Sequence, residues 1–141
     1  MERPFVKPTG KPGPNGIGGW LILPLIGLVI GPFLYGYLSY ALLTAYMEDQ
    51  TKVVLLAYGL QAIAVCLFAF YCLVRFFQKK VQAPALISLL YLVQILEAVF
   101  ALLYTNGRYD TRKDFIVTLI ASSIWIAYFR RSKRVANTFV R

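Results

Sequence analysis

The sequence predicts an all-α membrane protein, an antiparallel four-helix transmembrane bundle with both termini on the cytoplasmic side. Three observations predict it. Apolar types make up 59% of the 141 residues and charged types 15%, against about 45–50% and about 25% in ordinary soluble domains. The apolar residues gather in four runs separated by short polar turns. The basic residues fall mostly on one side of the connectivity those runs imply.

The elements follow in order. Residues 1–19 are polar and hold Pro4, Pro8, Pro12 and Pro14. Proline at that density forbids a regular helix, so a flexible cytoplasmic tail is expected. Charge then vanishes from Trp20 to Met47, a run too long for the h-region of a signal peptide, with no cleavage site after it. Pro24 and Pro32 should bend this first helix. Glu48, Asp49, Gln50 and Thr51 form the turn into a second run, Val53 to Val74, and a third runs from Ala83 to Tyr104, broken only by Gln94 and Glu97. Each of the three reaches the roughly 20 residues a span requires. Pro84 stands in the first turn of the third helix, the position that tolerates proline. Asn106-Gly107 is a turn dipeptide, and Thr111 with Asp114 reads as a capping box opening a fourth helix. That helix, about 112–130, has a shorter apolar core from Phe115 to Phe129, which Lys113 and Arg130 can lengthen by snorkelling. The spans are thus about 20–47, 53–74, 83–104 and 112–130 within a 20–129 bundle, and 130–141 is a basic cytoplasmic tail. Connections this short make sequential helices antiparallel neighbours.

Orientation rests on Lys and Arg. Arg3, Lys7 and Lys11, then Arg75, Lys79 and Lys80, then Arg130, Arg131, Lys133, Arg134 and Arg141 share one side, eleven in all; Lys52, Arg108, Arg112 and Lys113 make four on the other. The positive-inside rule assigns the eleven to the cytoplasm. The net charge of +9 is thereby a topology signal and does not point to nucleic acid. Histidine is absent, which removes the commonest general base and metal ligand. Cys66 and Cys72 are six residues apart, about 9 Å along a helix axis, so a disulfide between them is not expected. No cofactor or metal is called for.

Gly16-Ile17-Gly18-Gly19-Trp20-Leu21 near one end, and Trp125-Ile126-Ala127-Tyr128-Phe129 followed by Arg131-Ser132-Lys133-Arg134-Val135, Thr138 and Phe139 at the other, form a distinctive pair of motifs. Together they resemble an uncharacterised, YdgK-like family of small bacterial inner-membrane proteins, a domain of unknown function. The likeness runs from Gly16 to Phe139 and departs at Ala127, where family members often carry proline. The resemblance implies four helices and a bacterial inner (cytoplasmic) membrane. It implies no substrate, cofactor or catalytic residue.

Polar residues inside the runs are the candidate functional feature. Glu97, Gln61, Ser122 with Ser123, and Ser39 with Tyr40 each lie about 10–12 Å in from the outer end of their helix. Gln94 shares a helix face with Glu97. A carboxyl inside hydrocarbon is expensive unless partnered or protonated. The cluster can be interhelical glue, a proton, ion or ligand site, or a contact with another protein's helix. Gly59, Ala62, Cys66 and Ala69 form a small-residue seam on the second helix, and Gly27 and Gly31 a G-x-x-x-G on the first, both expected to pack helices closely. Trp20, Arg130, Arg131, Lys133 and Arg134 are candidates for contact with anionic lipid headgroups at the cytoplasmic face. If the fourth helix runs on, Val135 and Phe139 share a face and lie amphipathically on the membrane.

These observations favour a non-enzymatic accessory or interaction subunit of a membrane assembly, with another membrane protein and the bilayer as partners. The alternative is a small proton-coupled transporter or channel centred on Glu97. An enzyme acting on lipid ranks third.

Overall fold

A computed structural model describes residues 17–140. The tail's residues 1–16, with Arg3, Lys7, Lys11 and Gly16, lie outside the described residues, as does Arg141. After a 3-10 turn at Gly19–Leu21 come α1 (Ile22–Glu48), α2 (Val53–Phe77), α3 (Ala83–Tyr104), α4 (Tyr109–Arg131) and the short α5 (Lys133–Thr138). No strand occurs among the described residues. The helices form where long apolar stretches leave backbone hydrogen bonding as the main polar demand.

The chain divides into two compact units, one holding Gly19–Phe77, the other the described residues before Gly19 and after Phe77. The first unit is the α1–α2 hairpin. Asp49 builds its turn: one carboxylate oxygen accepts from the Thr51 amide at 3.2 Å and the Thr51 hydroxyl at 2.5 Å, and the other pairs with Lys52 Nζ at 3.2 Å. Those partners, the Thr51 hydroxyl foremost and Lys52 next, hold its pKa below the ordinary 3.8. The helices then run antiparallel, as one contact near the turn and two farther from it on both helices record. Ser39 Oγ donates to the Gly59 carbonyl at 3.1 Å. Cys66 Sγ donates to the Pro32 carbonyl at 3.2 Å. Phe33 and Phe70 meet edge to face with ring centroids 6.2 Å apart. On α2 the buried residues are Gly59, Ala62, Val65, Ala69, Cys72 and Phe76, a spacing near the 3.5-residue repeat of helices that supercoil around each other.

In the second unit α3 opens with Pro84 in its first turn, where a missing N–H costs nothing. Ser88 Oγ donates back to the Pro84 carbonyl at 2.8 Å, within α3 itself. The α3–α4 turn needs two consecutive left-handed residues, Asn106 (φ 50°) and Gly107 (φ 67°). These conformations let the Gly107 amide reach the Leu102 carbonyl at 2.9 Å and close the end of α3.

Two expectations are corrected here. The fourth helix does not open on a Thr111–Asp114 capping box. Arg108, in extended conformation (φ −52°, ψ 148°), is the N-cap, and its carbonyl already accepts the Arg112 amide at 2.9 Å, placing Thr111 inside the first turn. Nor does that helix run on past its basic end. Ser132 turns extended (φ −73°, ψ 121°), and its Oγ accepts the Val135 amide at 3.4 Å, capping a separate helix. Val135, Ala136, Thr138 and Phe139 are then buried within the protein, so the segment does not lie with an open apolar face.

Three stretches, Gly19–Glu48, Val53–Phe77 and Ala83–Tyr104, are long and apolar enough to cross a membrane. Of α1's 27 residues only Pro24, Leu28, Pro32 and Ser39 are buried, while Phe33, Leu34 and many other large apolar side chains stand exposed. A helix apolar all round and exposed to this degree has lipid as its solvent. The protein is an all-α membrane protein. Helix α4 has the length of a span, but Asp110, Arg112, Lys113 and Asp114 occupy its opening turns.

Candidate functional site

The polar residues inside the helices fall into the two units separately. In the first, neighbours Ser39 and Tyr40 diverge: Ser39 is buried and committed to the Gly59 carbonyl, whereas Tyr40 is 68% exposed. One step along a helix turns the side chain about 100°, which carries Ser39 toward α2 and Tyr40 away from it. Gln61 is half-buried on α2. In the second unit Ser122 is buried and Ser123 exposed, for the same reason. Gln94 and Glu97 on α3 are both half-buried, one turn apart. Among the described residues no three His, Cys, Asp or Glu side chains stand together as a metal site.

The small residues behave in two ways. Gly59, Ala62 and Ala69 are buried on α2, and Cys66 bonds across to α1. At Gly59 the approach is so close that an added Cβ would stand 2.8 Å from Leu43 Cδ2. Around Gly27 and Gly31 an added Cβ would meet nothing within 4 Å. The same residue type thus marks a tight crossing on α2 and open space on α1.

The basic residues gather at the end of α4. Arg130, Arg131 and Lys133 are exposed and Arg134 is half-buried. Trp20 is 71% exposed at the start of the first span. Two features escaped the sequence reading. Arg75 Nε donates to Tyr71 Oη at 3.0 Å and its guanidinium lies 5.0 Å from that ring's centroid, an i,i+4 pair whose spacing was visible. The other is long-range: a Cβ at Gly18 would stand 3.3 Å from a guanidinium nitrogen of Arg134. The two end motifs, more than a hundred residues apart, therefore meet, and no local pattern signals that.

With this geometry in place, comparison with known proteins gives a consistent result. The family model described as "Protein of unknown function (DUF2569)" matches residues 14–140. The chain is 28% identical over 140 residues to "Inner membrane protein YdgK" of Escherichia coli (strain K12), covering 90% of this chain and 95% of that one. No solved structure matches.

Proposed function

The chain belongs to the family described as Protein of unknown function (DUF2569), and from that premise we propose that it is a multi-pass inner-membrane protein acting as a non-enzymatic accessory or interaction subunit of a membrane assembly. The inner membrane follows the relative's description. The observation that carries the interaction role is the Gln94–Glu97 pair. Both residues are half-buried on one face of α3, with Glu97 about 10 Å inside the helix end by its seven-residue separation from Tyr104. A carboxyl at that depth is disfavoured against lipid, so this face of α3 suits a protein neighbour rather than hydrocarbon. The hydroxyls of Ser39 and Ser88 close on main-chain carbonyls and serve the fold.

The proximity of Gly18 to Arg134 supports a further part of the reading. Ends that meet lie at one membrane face, which requires an even number of crossings. Three helices are apolar enough to span, which supports α4 as the fourth, with Arg112 and Lys113 snorkelling at its start. The excess of basic residues at the meeting ends supports a cytoplasmic face for both.

Photo-crosslinking in native membranes tests the interaction role. A crosslinker at Gln94 is expected to yield a discrete protein adduct that persists with Glu97→Gln, because an amide preserves hydrogen bonding. A control at Leu96, 58% exposed on another face, should label lipid. Lipid adducts alone at Gln94 would refute the role. Proton-dependent solute uptake abolished by Glu97→Gln would favour a transporter centred on Glu97.

A further inference from the structure

The geometry points to a built binding site for the phosphate of an anionic lipid, formed by Arg131, Lys133 and Arg134 where α4 gives way to α5. Four cations, Arg130, Arg131, Lys133 and Arg134, occupy five consecutive positions, and no Asp or Glu follows Asp114 in the sequence. Arg130 directly follows Phe129, which is fully buried and ends the apolar stretch of α4. The cations therefore begin where the hydrocarbon ends, at the level of lipid phosphates. This placement rests on the reading of α4 as a span.

A loose basic tail would offer only diffuse attraction. Here the segment is held. Ser132 caps α5, and Val135, Ala136, Thr138 and Phe139 are buried beneath it. Lys133 and Arg134 are consequently set on an anchored helix. Arg134 is the half-buried member, and its guanidinium passes beside Gly18, where a side chain would begin 3.3 Å away. A half-buried guanidinium set beside the main chain offers its planar fork to a phosphate, a geometry that lysine cannot reproduce. Anchoring of α5 also lowers the entropy lost on binding.

The test uses the full chain in phosphatidylcholine vesicles containing a few per cent of spin-labelled phosphatidylglycerol or spin-labelled phosphatidylcholine. The motionally restricted fraction reports the association of each lipid. Phosphatidylglycerol is expected to be preferred, and each of Arg131→Gln, Lys133→Gln and Arg134→Gln should lower the preference by about fivefold, the equivalent of one interfacial cation. Arg134→Lys keeps the charge, so it separates a built site from a diffuse field: it should lose part of the preference. Equal restriction of the two lipids overturns the proposal. So does an Arg134→Lys protein indistinguishable from the original, which would leave only diffuse charge. Millimolar inorganic phosphate that removes the preference at constant ionic strength would also overturn it, in favour of a soluble anion. Reporter fusions, which need no lipid preference, test the placement of α4 separately.

Discussion

Gly59 offers the sharpest test of how the first hairpin is held. Substituting alanine puts a Cβ 2.8 Å from Leu43 Cδ2, 2.9 Å from Leu43 Cγ and 3.6 Å from Leu42 Cβ. Comfortable carbon contacts begin near about 3.5 Å. Moving the Leu43 tip alone does not relieve the clash, since Cγ is also too close, so side chain and helix must both yield. That strain belongs to the overpacking class, at about 1–3 kcal/mol. Against it stands the helix-propensity gain of glycine to alanine, about 1 kcal/mol. The net effect of Gly59→Ala is thus a loss between about zero and 2 kcal/mol, from these two terms. Gly27→Ala supplies the control. Gly27 lies in α1 with nothing within 4 Å of its added Cβ, so it receives the propensity gain alone. The difference between the two variants cancels propensity and isolates packing, with an expected value of about 1–3 kcal/mol. Unfolding in mixed micelles, followed by circular dichroism over an increasing fraction of sodium dodecyl sulfate, measures it. Equal stabilities for Gly59→Ala and Gly27→Ala would refute the tight crossing.

Four further outcomes are expected. Ser39→Ala removes the bond to the Gly59 carbonyl and should cost only about 0.6 kcal/mol in the same assay, the average for hydrogen bonds between membrane helices. Ala62→Leu, at a position 3% exposed, should cost about 1–3 kcal/mol; a neutral result would mean that the face is not packed. Asp49 should titrate below 3.8, and Thr51→Val should raise its midpoint, because the Thr51 hydroxyl is the leading cause of the depression. Since the folded pKa is the lower one, the turn's contribution is present above pH 3.8 and fades as pH falls through the depressed value; carboxyl carbon shifts report both. A reporter active only in the cytoplasm should work after Arg141 and within Lys79–Lys80 and fail at Asn106, and activity at Asn106 would reverse the orientation.

What the sequence alone determined was the class and the family. Long uncharged runs, a composition far from the soluble norm and two end motifs suffice for those, because a span is recognised by length and apolarity along one dimension. Position along each helix axis was legible in the same way. Direction around the axis was not. Ser39 and Tyr40, or Ser122 and Ser123, have the same depth and opposite surroundings, and Gly59 and Gly27 are the same residue in a crossing and in the open. In a soluble helix the alternation of apolar and polar residues marks the inner face. In lipid that contrast disappears, since hydrocarbon tails are as apolar as leucine, and close packing and hydrogen bonding select the inner face. The tertiary structure also decided the fate of the basic end, where Ser132 breaks α4 and brings Arg134 to Gly18. That meeting depends on the path of every intervening helix, so no local pattern encodes it.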